Sequence, residues 1–149
     1  MPTPLLPLDA PIQDALTKRV PRVWGQLFDF WHKSIRMSGI GYTPGAGGTV
    51  TQLTSKSTAV TLNKATGQIT LNAAALGSDT TVSFTLTNAA IVAGDYLLLN
   101  HVSGGTAGAY SLNAQCAAGS ASINVRNITA GSLSEAIIIG YWLAKGQTV

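Results

Sequence analysis

Charged side chains are scarce in this sequence. Asp, Glu, Lys and Arg make up 10% of its 149 residues, well under half the share of about 25% usual for a globular domain. From Gly41 to Gly146 only seven of 106 residues carry a charge: Lys56, Lys64, Asp79, Asp95, Arg126, Glu135 and Lys145. Catalysis needs groups that move protons, attack carbon or hold a metal, and here such groups are few and scattered. The segment reads as β architecture made to pack and to adhere, a structural building block and not an enzyme. A monomer with so little surface charge would be short of the solvated groups that oppose association. Much of its surface is therefore expected to be covered by copies of itself or by neighbours.

Other absences narrow the class further. The single cysteine, Cys116, excludes an internal disulfide, and no Cys/His pair has zinc spacing; the residue is expected to be a small buried hydrophobe on a strand. The longest strongly apolar stretch near the C-terminus, Ala136 to Ala144, is less than half a transmembrane span. Met1 to Leu8 holds three prolines and no basic region ahead of its leucines, unlike a signal peptide. The expectation is a product made in the cytoplasm, without membrane association, that works after assembly. Disorder is excluded by an apolar fraction of 46% and a positive mean hydropathy.

The remaining chemical candidates are weak. His32 and His101 are the only histidines, and each is expected to be a packed or capped side chain. Gly45-Ala46-Gly47-Gly48 is glycine-rich, yet no Lys-Ser/Thr follows at phosphate-loop spacing and a strand pattern comes next. Asp79 and Asp95 sit at turn signals, where aspartate caps backbone amides. No Gly-x-Ser-x-Gly elbow occurs. Neither a cofactor nor a metal site is expected. Tyr42, Tyr96, Tyr110, Tyr141 and Trp142 are the stacking platforms a sugar could use, without evident clustering along the chain.

What is present falls into two parts. Two of three tryptophans, two of three phenylalanines and all but one proline precede Gly39-Ile40-Gly41. Residues 1–40 read as an N-terminal anchoring arm and residues 41–149 as a β domain. Pro2, Pro4 and Pro7 favour an extended start; Asp9 can cap a short helix with Pro11 in its first turn. From Arg22 to Met37, Trp24, Leu27, Phe28, Trp31 and Ile35 recur at three- and four-residue steps, an apolar stripe on one helix face. Arg22, Lys33 and Arg36 lie opposite it. The stripe can pack on the β domain of the same chain, or it can anchor the chain by filling pockets on a partner. An interfacial membrane helix is disfavoured because acidic residues sit among the bases. Five of the nine basic residues, Lys18, Arg19, Arg22, Lys33 and Arg36, crowd into this arm. A solvated helix face or docking onto an acidic protein surface explains them better than direct nucleic-acid contact.

Beyond the glycines, short alternating runs recur with turn signals between them. Strands are expected near residues 48–53, 57–63, 67–72, 80–87, 95–102, 109–116, 121–128 and 134–144. Val82, Phe84 and Leu86 alternate with Ser83, Thr85 and Thr87, and Ile123, Val125 and Asn127 alternate with Arg126 facing the other way, as in a sheet with one buried face. About eight short strands suggest a mainly β fold, an antiparallel β-sandwich of jelly-roll type behind an N-terminal helical arm.

Specific stretches add a resemblance. Gly45 to Gln52 (GAGGTVTQ), Thr54 to Thr58 (TSKST), Val60 to Lys64 (VTLNK), Gly67 to Thr70 (GQIT), Val82 to Asn88 (VSFTLTN), Ser103 to Tyr110 (SGGTAGAY), Val125 to Asn127 (VRN) and Ala130 to Ala136 (AGSLSEA) resemble a domain of tailed-bacteriophage and prophage structural proteins. The resemblance spans nearly all of residues 41–146 and does not extend to residues 1–40. It implies a small β domain of the virion surface that acts as an oligomer, a homotrimer, with no catalytic residues to carry over. It further implies a head decoration protein that stabilises the capsid by bridging subunits of the major capsid protein, or a tail or head fibre component. In either case Trp24, Leu27, Phe28, Trp31 and Ile35, steered by Arg22, Lys33 and Arg36, would dock the arm on other virion proteins. A fibre would add a possible host receptor or glycan as partner.

Overall fold

The computed structural model describes residues 24–27, 29, 42 and 44–146. The chain divides into two units, Met1–Gly41 and Tyr42–Val149. In the first, Trp24, Gly25, Gln26, Leu27 and Asp29 are α-helical, with Trp24 and Leu27 half-buried and the other three exposed. The rest of the expected arm lies outside the described residues.

The second unit is mainly β, with eight strands in two sheets. They are β1 (Thr49–Thr51), β2 (Val60–Thr61), β3 (Thr66–Thr70), β4 (Thr81–Thr87), β5 (Tyr96–Ser103), β6 (Tyr110–Ala117), β7 (Ser120–Asn127) and β8 (Ile138–Ala144). One sheet runs β1-β3-β8-β5 and the other β2-β4-β7-β6. Period-two alternation sends one set of side chains from each sheet into a shared core. Ile69, Ile139 and Leu143 come from the first sheet, and Phe84, Leu86, Ile123 and Val125 from the second. Leu71, Ile91 and Ile137 join them from the connections. Each such aliphatic side chain taken out of water contributes about 1.5–3 kcal/mol, and ordering the chain offsets most of that sum.

The strand order corrects the expected topology. Only β6 and β7 are joined within one sheet, by the Ala118-Gly119 turn with Gly119 at φ +73°. Every other connection crosses from one sheet to the other. Two successive crossings bring the chain back in its original direction, so β1 pairs parallel with β3 and β2 parallel with β4. The remaining ladders are antiparallel. The result is a mixed sandwich, distinct from the all-antiparallel Greek keys of a jelly roll. The run from Ser134 to Ala144 also begins later as a strand than its pattern suggests: β8 starts at Ile138.

Buried polar groups tie the crossings down. Asn127, fully buried on β7, donates through Nδ2 to the carbonyls of Leu76 (3.0 Å), Gly77 (3.0 Å) and Gly131 (2.7 Å). Gln52 donates through Nε2 to Lys56 O (3.0 Å) and Thr58 O (2.8 Å) and accepts from the Asn72 amide (3.2 Å). Such groups are tolerated in a core only when bonded. Gly67, at the start of the expected strand 67–72, lies inside β3. A Cβ there would sit 2.6 Å from Leu62 Cδ2 and 2.9 Å from both Gly48 O and Tyr141 Cε1. The residue is glycine because the neighbouring chain comes that close.

Candidate functional site

The most distinctive surface is the outer face of the β1-β3-β8-β5 sheet. Its outward positions are Thr49 and Thr51 on β1, Thr66, Gln68 and Thr70 on β3, Ile138, Gly140, Trp142 and Ala144 on β8, and Tyr96, Leu98, Asn100 and Val102 on β5. None is charged. Four large apolar side chains stand well out of the protein here: Tyr96 is 65% exposed, Leu98 52%, Val102 47% and Trp142 37%. Exposed large apolar groups gathered on one face mark contact surfaces more often than singly scattered ones do.

Register explains the relief of this face. Gln68, Gly140 and Asn100 lie side by side across β3, β8 and β5, and Thr66, Trp142 and Leu98 form the next row. With no side chain at Gly140, the sheet carries a trough of about 590 Å³ whose walls include Gln68, Leu98, Asn100 and Trp142. Val102, at the irregularity in the β5–β8 ladder, leans over the glycine: a Cβ on residue 140 would come 2.8 Å from Val102 Cγ2. The Tyr42 ring meets Trp142 edge-on, with centroids 6.1 Å apart at 88°, and its hydroxyl donates to the Leu143 carbonyl. The trough offers apolar area, the amide side chains of Gln68 and Asn100 and the hydroxyl-bearing Thr49 and Thr66, which suits binding.

Several titratable groups of the second unit hold loops in place. Glu135 accepts from the Thr106 amide (2.9 Å), the Thr106 hydroxyl (2.6 Å) and the Tyr110 hydroxyl (2.7 Å). The Thr106 bonds, chiefly, hold its carboxyl below the usual range, while burial and the bonded carboxylate push the Tyr110 phenol up. Asp95, its side chain fully buried, accepts from Lys145 Nζ (2.8 Å), Val92 N (2.9 Å) and Gly146 N (3.1 Å), and the Lys145 bond leads in depressing its pKa. It therefore caps a turn amide, as its position suggests, and also clips the end of β8. Asp79 pairs at 2.6 Å with Arg126, both exposed. His101 places Nε2 within 2.7 Å of Gly104 O and 3.2 Å of Ser103 O, with its ring edge-on to Tyr110 at 5.8 Å.

Lys56 carries no signal in the sequence. Only 3% exposed, it donates through Nζ to the carbonyls of Asn72 and Glu135. Burial pushes its ammonium pKa down, and the nearby Glu135 carboxylate draws it partway back. It serves as an internal strut between two connections. Cys116 lies on β6, half-buried and not in the sealed core; burial pushes its thiol up. Among the described residues no group of three or more His, Cys, Asp or Glu could hold a metal ion. Among them, too, no helix is long and apolar enough to cross a membrane.

Of the arm residues expected to bind a partner, Trp24 and Leu27 fall on the described helical segment, both half-buried. Arg22, Phe28, Trp31, Lys33, Ile35 and Arg36 lie outside the described residues, as does His32. Among the expected stacking platforms, Tyr42 meets Trp142, which lines the trough, and Tyr96 shares the sheet face of Trp142, while Tyr141 points into the core with its hydroxyl donating to Lys64 O at 3.0 Å. Sequence spacing could not reveal this gathering, because Tyr42, Tyr96 and Trp142 come together only through the sheet crossings. The alternation of β5 and β8 does carry a signal: apolar residues occupy both faces of Tyr96–Val102 and Ile138–Leu143, where β4 and β7 alternate cleanly. In comparisons with protein-family models, with curated proteins and with solved structures, none matches this chain.

Proposed function

We propose that this chain is a bacteriophage virion structural protein, a homotrimeric capsid decoration protein that stabilises the head by bridging capsid subunits. The observation that carries this reading is the uncharged apolar outer face of the β1-β3-β8-β5 sheet, on a domain whose described acids and bases hold loops in place. The resemblance of residues 41–146 to phage structural domains supplies the setting. The work of such a protein is mechanical. Each copy adds buried area between neighbours, and binding to the assembled state stabilises it by mass action. Repetition over a lattice turns weak contacts into strong ones. The aromatic stripe Trp24, Leu27, Phe28, Trp31 and Ile35, with Arg22, Lys33 and Arg36, is the proposed anchor on the major capsid protein.

Copy number in purified particles tests the reading. A ratio near one chain per capsid subunit, or one trimer per few subunits, is the expected result. A few copies per hundred capsid subunits would move the protein to a tail or head fibre, and absence from particles would sink both. Capsids lacking the chain should lose their genome at lower temperature than complete ones; equal heat resistance would refute cementing.

A further inference from the structure

We propose that the β5–β6 side of the sandwich is the surface through which copies of this chain associate. The two sides of the sandwich are built differently. One ends in β1 and β2, of three and two residues, the short edges with which β proteins avoid unwanted pairing. The other ends in β5 and β6, eight residues each. Among the described residues both are edge strands, with one row of backbone groups facing away from their ladders. Neither contains the proline or lysine that usually guards such an edge.

The core is also unfinished on this side. On the short-edge side the inward Val60 of β2 is buried and the inward Val50 of β1 half-buried, and on β5 the inward Leu97 is buried. Along the other side, the inward Leu99 of β5 and Tyr110, Leu112, Ala114 and Cys116 of β6 remain only partly covered. Every inward position of β6 has this intermediate burial. A depression of about 410 Å³ opens in the seam, lined by Leu99, His101, Tyr110 and Leu112 among others. A second protein surface seated there would complete the burial that the chain alone leaves partial.

Charge identifies the occupant. From Tyr96 through Val125 there is no Asp, Glu, Lys or Arg, so a partner selected by opposite charge finds nothing to pair with. Around a symmetry axis each group faces its own copies, and a charge there would meet its like. A long uncharged side therefore fits a second copy of the same chain. Eight strand residues span about 26 Å, and two sheets about 10 Å apart with their outer side chains make the side about 20 Å deep. That is on the order of 500 Å² in projection, and the accessible area of a corrugated face is larger, approaching the scale of about 800 Å² per partner in specific complexes.

The assignment rests on the self-association proposed above, and the test separates the two. The full chain is weighed by native mass spectrometry over a range of concentrations, and amide hydrogen exchange is followed over the same range. Exchange in residues 96–103 and 110–117 is expected to slow as oligomer forms, while residues 49–51 and 60–61 stay unchanged. Asn100→Lys and Gln115→Lys alter exposed side chains on the two long edges and should weaken association by roughly tenfold or more. Thr61→Lys, on the short-edge side, should leave it within about twofold. Oligomers whose β5 and β6 amides exchange independently of concentration would overturn the surface and leave self-association standing. A full chain that stays monomeric at micromolar concentration would overturn both.

Discussion

The two sheets share one core and differ in what they show the outside. Behind β2-β4-β7-β6 stand Thr81, Ser83, Thr85 and Thr87 on β4, Ser122, Asn124 and Arg126 on β7, and Ser111, Asn113 and Gln115 on β6. Behind β1-β3-β8-β5 stand Tyr96, Leu98, Val102 and Trp142. The polar face bonds to itself: Ser83 Oγ donates to Asn124 Oδ1 and Asn124 Nδ2 to Asn113 Oδ1, each at 2.6 Å and in register across three strands. The apolar face has no comparable internal satisfaction. Burial of the inner layer dictates half of each strand's residues; the other half answers to whatever the face meets. One face is finished against water, and the other is suited to a further surface.

Four variants probe that contrast, in descending order of effect on stability. Ile123→Ala and Ile139→Ala remove fully buried side chains from opposite sheets, and each should cost about 2–5 kcal/mol in denaturant unfolding. Similar losses are expected because both side chains serve the same core; a loss confined to one would mean that the sheets unfold separately. Asn124→Ala cuts the polar ladder at its centre and should cost about 1 kcal/mol, with no effect on self-association. Leu98→Ser with Trp142→Ser should change monomer stability by no more than about 0.5 kcal/mol per site while raising solubility and weakening retention on capsids. Retention undiminished in that double variant would break the comparison, since the apolar face would then have no role outside the monomer.

Much of the fold was legible because alternation is a local property. Val82, Phe84 and Leu86 point inward and Ser83, Thr85 and Thr87 outward on β4, and Ile123, Val125 and Asn127 point inward on β7, as their sequence order requires. The pairing was not legible. β1 and β2 are too short to declare their partners, and the parallel ladders arise from successive sheet crossings that leave no hairpin signal. Nor was the reason for a glycine at position 67 legible, since it answers to Leu62, Gly48 and Tyr141, contacts made across the fold.

The candidate site divides in the same way. Composition alone raises the expectation of adhesive surface in a chain so poor in charge. That Tyr42, Leu98 and Trp142 form one face, with a trough at Gly140, followed only from strand order and register.

The sequence by itself determined the strand alternation, the identity of most core residues and the scarcity of charge, since each depends on residue type and a two-residue repeat. The packed fold sets which edge strands are long, where Lys56 and Glu135 strut the connections, and which apolar residues stand exposed. Those outcomes depend on contacts between segments far apart in the chain, such as Lys56 with Asn72 and Glu135. No local pattern encodes such contacts, because they become favourable only when the sheets have packed and water has left the space between them.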